Sequence, residues 1–490
     1  MVANLAEPHM VAKALFRQGS AAYQLRCFNE AESLFKRGLA VAESDAKAQG
    51  LAKEFNECLA RTLERLRERD TGVYDFHAMF SNVISGGPNP HSDVADFVGP
   101  VEIRSSPSGS RGLHVTRDVV TGELLLVSKS VSSISKKDGE IEHVSLMAFN
   151  LVNSRLREET RFFNTTKLIH LCIDNPAFYS TVCHLYDGNL PTSSSLPPLG
   201  MVDTEKEVIE QLGVVVDVDV GRLERIRDFN SFGDYAFERC ITPAEEGDSA
   251  KSRKENEVTS LFYLPSFCNH SCVPNAKRTF FGDVMVVRAL LPLSQGDEIT
   301  LGYISPRISI DKRKKSLERS FGFQCNCWYC REEKMDGEAT HKRRKKIFDT
   351  ELPKAMALVH QATRDGNYDA ALFSAAFKAI ENIKGKMEAT YHPDRGPLRL
   401  EMYPLWQALS DLYGWKELRK SIEVFSSLIL STSTPPVLTS ILSERKVCPG
   451  GFGSCHYRWR SDQEGQRQRQ RQRLKLQTYS HDVTATTIAG

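Results

Sequence analysis

Asn269-His270-Ser271-Cys272-Val273-Pro274-Asn275-Ala276 is followed, further along the chain, by Cys325-Asn326-Cys327-Trp328-Tyr329-Cys330, with Tyr303 between them. The first stretch bends sharply, because proline and asparagine favour turns. Backbone amides on both sides of the bend are then available to hold the ends of a ligand. The second stretch presents three thiolates from one tight loop. A structural zinc site takes four ligands in a tetrahedral array, so a fourth must come from elsewhere. Cys272 is the natural candidate, since the loop must fold against the motif that carries it, and Cys268 is the rival. Closing such a site would anchor a segment with little core of its own, because zinc contributes roughly 10–16 kcal/mol to comparable cysteine sets at neutral pH. The plain alternative is three buried, reduced thiols.

Two other turns flank this region. Gly109-Ser110-Arg111-Gly112-Leu113 is a small-residue turn after a strand, where backbone can approach a ligand closely. Gly296-Asp297-Glu298-Ile299-Thr300-Leu301-Gly302-Tyr303 reads as a turn, a short strand and an aromatic hydroxyl. A tyrosine at a strand end is ordinarily a half-buried packing residue, and any functional reading of it depends on its neighbours.

The totals bound the possibilities. At 490 residues two to three domains are expected. An apolar share of 41% and a charged share of 26% are ordinary for a soluble globular protein. Lysine plus arginine (64) nearly balances aspartate plus glutamate (62), for a net charge of +2. The chain as a whole is therefore no polyanion binder, and direct nucleic-acid binding is not expected. No apolar run reaches membrane-span length, and the first residues lack the basic-then-apolar layout of a secretory signal. The expected location is the nucleus or the cytoplasm, where thiols stay reduced. The twelve cysteines then read as buried thiols and metal ligands.

Residues 8–70 carry a helical pattern. From Ala12 to Asp45, Gly19, Tyr23, Phe28, Ala31, Phe35 and Gly38 fall where a tetratricopeptide helix pair places its small and aromatic contacts. A generic helical hairpin is the simpler reading of the same residues. Ala46–Arg69 continues as a charge-rich third helix. Gly86–His91 is dense in turn formers and marks a domain boundary. Val101–Ile103, Leu113–Val115 and Glu123–Ser128 are short β-rich runs, and strands return around Leu261–Leu264 and Val284–Leu290. Between them residues 140–225 read as helical, with Pro191–Pro198 as a surface loop. After Lys342 the pattern is helical to about Leu430, with Gly366–Leu372 resembling a second helix-pair turn. The Gln/Arg alternation at 466–473 cannot bury a core and reads as disordered. Cys448, Cys455 and His456 are too sparse to specify a metal site. The expected class is α+β: tetratricopeptide-like helices at 1–85, a β-rich domain at 98–305 with a helical insert, a zinc loop at 306–332, a helical region at 340–432 and a tail at 443–490.

Gly109–Leu113 with Gly122-Glu123-Leu124, Asn230-Ser231-Phe232, Asn269–Asn275, Gly296–Tyr303 and Phe323–Cys330 together resemble the successive signatures of SET-domain lysine methyltransferases. Order and spacing are most similar to the SET-and-MYND subgroup, and the resemblance covers roughly residues 98–332. Two departures stand out. Residues 128–229 hold only Cys172 and Cys183, too few for the subgroup's zinc finger, so partner recognition is not carried over from it. Ser110 also stands where relatives often have glycine or a basic residue, at the edge of the pocket for the cofactor carboxylate.

The resemblance implies S-adenosylmethionine as methyl donor, a structural zinc, and a protein substrate with an accessible lysine. It assigns Tyr303 to catalysis, orienting the lysine nitrogen and the methyl. Ser110, Arg111, Gly112, Leu113, Asn230, Asn269, His270, Tyr303 and Phe323 would hold the cofactor, with Asn269 and His270 acting through backbone and side chain. Phe232 and Phe321 would wall the substrate channel, and Cys272, Cys325, Cys327 and Cys330 would bind zinc. Two rivals stand beside this reading. One is a SET-like scaffold that binds partners through its helical repeats without catalysis. The other is a nucleic-acid-associated factor, prompted by the basic runs Lys312–Lys315 and Lys342–Lys346; such runs are usually solvated helix faces, and the second also fits a nuclear import signal or an attraction for acidic partners.

Overall fold

The structure is a computed structural model and describes residues 7–85, 91–105, 111–136, 148–150, 155–157, 159–189, 196–200, 217–233, 258–364 and 369–416. Ser110, residues 86–90, most of the Pro191–Pro198 loop, residues 365–368 and everything from 417 onward lie outside the described residues. The last group includes Cys448, Cys455, His456 and the 466–473 run.

Four helices open the chain: α1 (Pro8–Gln24), α2 (Phe28–Ser44), α3 (Ala52–Thr71) and α4 (Phe76–Ser85). Glycines on one helix let aromatic rings of the next approach its backbone. A Cβ on Gly19 would lie 2.6 Å from the Phe35 ring, and one on Gly38 would lie 2.3 Å from the Phe55 ring. The first contact lies within the α1–α2 pair and the second between α2 and α3. Gly72 ends α3 in the left-handed region (φ 67°), and its N–H bonds to the Glu68 carbonyl. Buried Glu68 also accepts the Ala95 N–H at 2.8 Å and pairs with Arg65 at 2.9 Å, fixing α3 to the chain that enters the β region.

That region is built from small sheets. An antiparallel sheet has the order β1 (Phe97–Val98), β4 (Leu124–Lys129), β12 (Val284–Ala289), β11 (Ala276–Phe281). Beside it lie the hairpin β2 (Val101–Ser105) with β3 (Arg111–Val115), and the sheet β5 (Ser132–Ser135), β9 (Val258–Leu261), β8 (Ser231–Phe232). A parallel pair, β10 (Asn269–His270) with β13 (Thr300–Leu301), brings together strands distant in sequence. Leu113, Leu126, Leu261, Phe262 and Met285 fill the shared core. Burying each such side chain contributes roughly 1.5–3 kcal/mol.

Three details depart from the expected layout. The insert is not wholly helical: it begins with a hairpin, β6 (Ala148–Asn150) with β7 (Arg155–Arg157), before α5 (Glu159–Asp174), α6 (Pro176–Val182) and α7 (Val220–Asn230). Arg155-Leu156-Arg157 has the period-two alternation of a strand, which a short run inside a helical stretch conceals. The strand expected at Leu261–Leu264 ends at Leu261, and a 3₁₀ turn follows over Leu264–Phe267. Pro265 has no N–H to give a ladder. The segment expected as a zinc loop is mostly helix, α8 (Ile310–Phe321) and α9 (Trp328–Met335). Ile310, Arg313 and Leu317 give α8 an inward face at helical spacing.

The chain continues into α10 (Glu338–Lys346), α11 (Leu352–Arg364), α12 (Ala370–Glu388) and α13 (Tyr403–Lys416). Asp369 caps α12 by accepting the Ala371 and Leu372 N–H groups. Phe373, Ile380, Leu405 and Leu409 share the core of these helices. Helices surround a β-containing middle, and the class is α+β. No described helix is long and apolar enough to cross a membrane.

Candidate active site and cysteine cluster

The parallel pair places Asn269 beside Thr300 and His270 beside Leu301. Side chains sew the following bend to the same strand. Asn275 donates through Nδ2 to the Glu298 carbonyl (2.8 Å) and accepts the Thr300 N–H at Oδ1 (2.8 Å). Asn269 Nδ2 donates to the Arg111 carbonyl (3.1 Å) and to Glu298 Oε1 (2.6 Å). Both of its amide hydrogens are spent, so only Oδ1 can meet a ligand through this side chain. Gly112 makes this crossing possible, since a Cβ there would stand 2.5 Å from Glu298 Oε1.

A cavity of about 1010 Å³ opens beside the crossing. Ligand pockets run to roughly 300–1,000 Å³, so this one has room for a large cofactor and an inserted side chain. Arg111, Asn230, Asn269, His270, Tyr303, Phe321 and Phe323 all line it. Gly112, Leu113 and Phe232 do not. Gly112 lies behind Asn269. Leu113 is fully buried in the core, with its carbonyl accepting the Ile299 N–H. Phe232 packs on Phe262 at 5.8 Å with the Arg278 guanidinium 5.6 Å above its ring, and so braces the region from behind.

Tyr303 sits at the strand end, its ring 4.9 Å from Phe321 and 6.5 Å from Phe323. Its hydroxyl donates to the Cys268 carbonyl at 2.7 Å. Burial pushes its pKa well above the usual tyrosine value, so the phenol is a neutral hydrogen-bonding group. The Tyr303 N–H donates to His270 Nδ1 at 3.1 Å, and His270 Nε2 lies 3.5 Å from the Cys272 sulfur. The His270 ring is thus engaged by protein on both nitrogens, which leaves its backbone to face a ligand. Asn230 is similar: both Nδ2 hydrogens go to carbonyls, of Tyr186 and Ile226, at 2.7 Å each.

The insert contributes walls that the sequence did not single out. Tyr186 and Phe229 meet edge to face at 5.1 Å on the rim. Arg222 donates to the Cys183 carbonyl (2.8 Å) and pairs with Asp187 (3.1 Å). Arg111 donates to the His184 carbonyl (3.2 Å), and desolvation by burial lowers its pKa. Arg111 and Arg222 lie at this end of the cavity, where Asp187 offsets Arg222 and where burial, with the two guanidinium groups, lowers the His184 pKa and favours its neutral form. No fixed spacing links insert residues to the motifs, so only the fold reveals them.

Cys272, Cys325, Cys327 and Cys330 gather with their sulfurs all within 4.8 Å of one another. The Cys272 sulfur is 3.5 Å from that of Cys330 and 4.0 Å from that of Cys325. Four sulfurs on a tetrahedral zinc, with Zn–S near 2.3 Å, would stand about 3.8 Å apart, so the set fits that ion. Cys268 is not part of it; burial pushes its thiol up to about 12. Within the cluster, hydrogen bonding from Cys272 holds the Cys327 thiol below its ordinary value, while contacts with Cys325 and the others push Cys272 up. Without a cation the four cannot all ionise; a dication would let them.

Residues 110–304 match the family model described as SET domain. A protein named methyltransferase from Gibberella zeae is 27% identical over 343 residues, covering 69% of this chain and 44% of that protein. Histone-lysine N-methyltransferase ASHR1 of Arabidopsis thaliana is 44% identical over 70 residues, 14% of this chain and 15% of its own. Protein-lysine N-methyltransferase SMYD4 of Mus musculus is 32% identical over 102 residues, 20% of this chain and 13% of its own. In each case the match spans less than half the relative's length.

Proposed function

We propose that this SET-domain chain is a protein-lysine N-methyltransferase that uses S-adenosylmethionine. One observation carries the reading: a single cavity collects the Asn269-His270 crossing, the Tyr303 phenol and the Phe321 and Phe323 rings. The relatives' names point the same way. When bound, the donor supplies a sulfonium methyl whose departure needs no acid.

Asn269 and His270 would hold this cofactor through backbone groups and the Asn269 Oδ1, with Arg111 and Asn230 beside them and Phe323 alongside. The protein's harder task concerns the acceptor. A free lysine has a pKa of about 10.4, so presenting it neutral at pH 7 costs roughly 4–5 kcal/mol. A wall of Tyr303 and Phe321 lowers that cost by desolvating the ammonium. The Tyr303 hydroxyl, anchored on the Cys268 carbonyl, gives the amine a fixed polar neighbour, and alignment supplies much of the remaining rate. A phenol whose pKa is raised is not the base; the lysine proton leaves to solvent.

Zinc enters structurally. Phe321 and Phe323 immediately precede Cys325, so a closed cluster fixes two walls of the cavity. The substrate would be a protein offering an accessible lysine.

Calorimetric titration with S-adenosylmethionine, followed by tritiated methyl transfer to core histones and to a whole lysate, tests the reading. Tyr303→Phe should bind the cofactor nearly as well as wild type while losing turnover by several orders of magnitude. Unchanged turnover removes Tyr303 from the mechanism, and binding without transfer by wild type indicates an inactive scaffold.

A further inference from the structure

We propose that the His270 imidazole is a positioning residue that ties the Cys272 sulfur to the Tyr303 backbone, so that the cysteine cluster sets the placement of the phenol. The inference rests on the zinc reading above and goes beyond it, because the ring, rather than the backbone, is assigned the role.

The Tyr303 N–H can only donate, and it points at His270 Nδ1 at 3.1 Å. Nδ1 must therefore be the acceptor. In a neutral imidazole the proton then resides on Nε2. Nε2 faces the Cys272 sulfur at 3.5 Å, an N–H···S hydrogen bond to a thiolate ligand. Turning the ring over would leave the Tyr303 N–H without this acceptor, and a buried unmet donor costs about 1–3 kcal/mol. Aromatic contacts hold the ring plane, with Tyr303 at 5.2 Å and Phe323 at 6.0 Å. One small ring thus bridges two machineries that lie on different strands: β10 leads to the metal ligands, and β13 leads to Tyr303.

The two bonds can be separated by substitution. An asparagine side chain reaches about as far as Nδ1 and offers an oxygen there. A glutamine reaches about as far as Nε2 and offers N–H. His270→Asn should keep the acceptor for Tyr303 and lose the donor to Cys272; His270→Gln should do the reverse. Outer-shell partners of metal ligands are typically worth 10–100-fold in metal affinity.

Three readouts on the full chain follow: zinc affinity by competition with a chromophoric chelator, hydrogen exchange of the peptide containing the Tyr303 amide, and the initial rate of tritiated methyl transfer to lysate protein at saturating S-adenosylmethionine. His270→Asn should weaken zinc roughly 10–100-fold with Tyr303 exchange near wild type. His270→Gln should hold zinc within a few-fold of wild type, exchange the Tyr303 amide roughly tenfold faster and transfer methyl roughly a hundredfold more slowly, as expected for a misplaced reacting group. If both variants lose both properties, or neither loses either, the assignment is overturned. The first two readouts need no activity, so a chain that never transfers methyl would fail the proposed function and still decide this point.

Discussion

The Tyr303 hydroxyl rests on the Cys268 carbonyl at 2.7 Å, one residue before the Asn269-His270 crossing. The candidate catalytic group and the candidate cofactor cradle are therefore held to each other by a single backbone-directed bond. The phenol's position is set by the same chain segment that bends around the ligand.

That bond and the burial behind it bear on pH. Burial raises the Tyr303 pKa, so its neutral form persists above the usual tyrosine value of about 10. The methyl-transfer rate should rise from pH 7 to pH 9 as the substrate lysine deprotonates, with no falling limb from Tyr303. Initial rates at constant ionic strength check this; a bell-shaped profile whose upper limb vanishes in Tyr303→Phe contradicts it.

The cluster makes a second prediction. Cys327→Ser removes one of four sulfurs, and serine is a poor zinc ligand. Metal analysis should show well under one zinc per chain, and cofactor affinity should fall because Phe321 and Phe323 lose their tether. A variant that retains one tightly held zinc would show that the ligand set is wrong.

Among the N-terminal helices, Gly38→Ala forces a Cβ to within 2.3 Å of the buried Phe55 ring. Overpacking of this kind costs about 1–3 kcal/mol, read as a lower urea midpoint. Gly50→Ala is the control: nothing lies within 4 Å of its added Cβ, so its effect should be small and of either sign.

Asp336 makes the fourth case. It accepts the His392 N–H at 2.8 Å and pairs with the buried Arg344 at 2.8 Å and the buried Arg395. Burial pushes its pKa up, but the hydrogen bond from Arg344, that from His392 and the charge of Arg395 bring it below its ordinary 3.8. A depressed carboxyl adds stability that is complete above the unfolded value and lost as pH falls through the folded one. Asp336→Asn removes the carboxylate that pairs with buried Arg395, while Arg344 keeps Glu401 at 3.3 Å, and should cost roughly 3–5 kcal/mol at pH 7. Denaturation at pH 7 and pH 3 should show the gap between variant and wild type narrowing in acid.

Much of the site was legible because its residues lie in short runs. Asn269, His270 and Cys272 share one bend, and three cysteines share six residues, so each run is compact by itself; that the two runs meet was implied by the family resemblance. Tyr303 joined them through a turn and a strand that the glycines at 296 and 302 announce. What could not be read is direction. Leu113 and Phe232 stand in motifs yet turn into the core, because a strand sends alternate side chains to opposite faces. Tyr186, Phe229 and Arg222 were invisible, since helices packed across a long insert bring them to the cavity without any spacing rule. Ile310, Arg313 and Leu317 carry the period of the helix at Ile310–Phe321, but the closely spaced cysteines that follow read as a loop.

Leu398 and Leu400 share the apolar pocket of Cys272, Cys325, Tyr329 and Cys330. The clustered cysteines are thus packed against a stretch of chain far downstream of the SET match. A shortened protein ending before that stretch would keep every ligand and every cavity residue, yet leave its sulfurs open to air. Such a fragment would oxidise during purification and look like a dead enzyme for reasons unrelated to its chemistry.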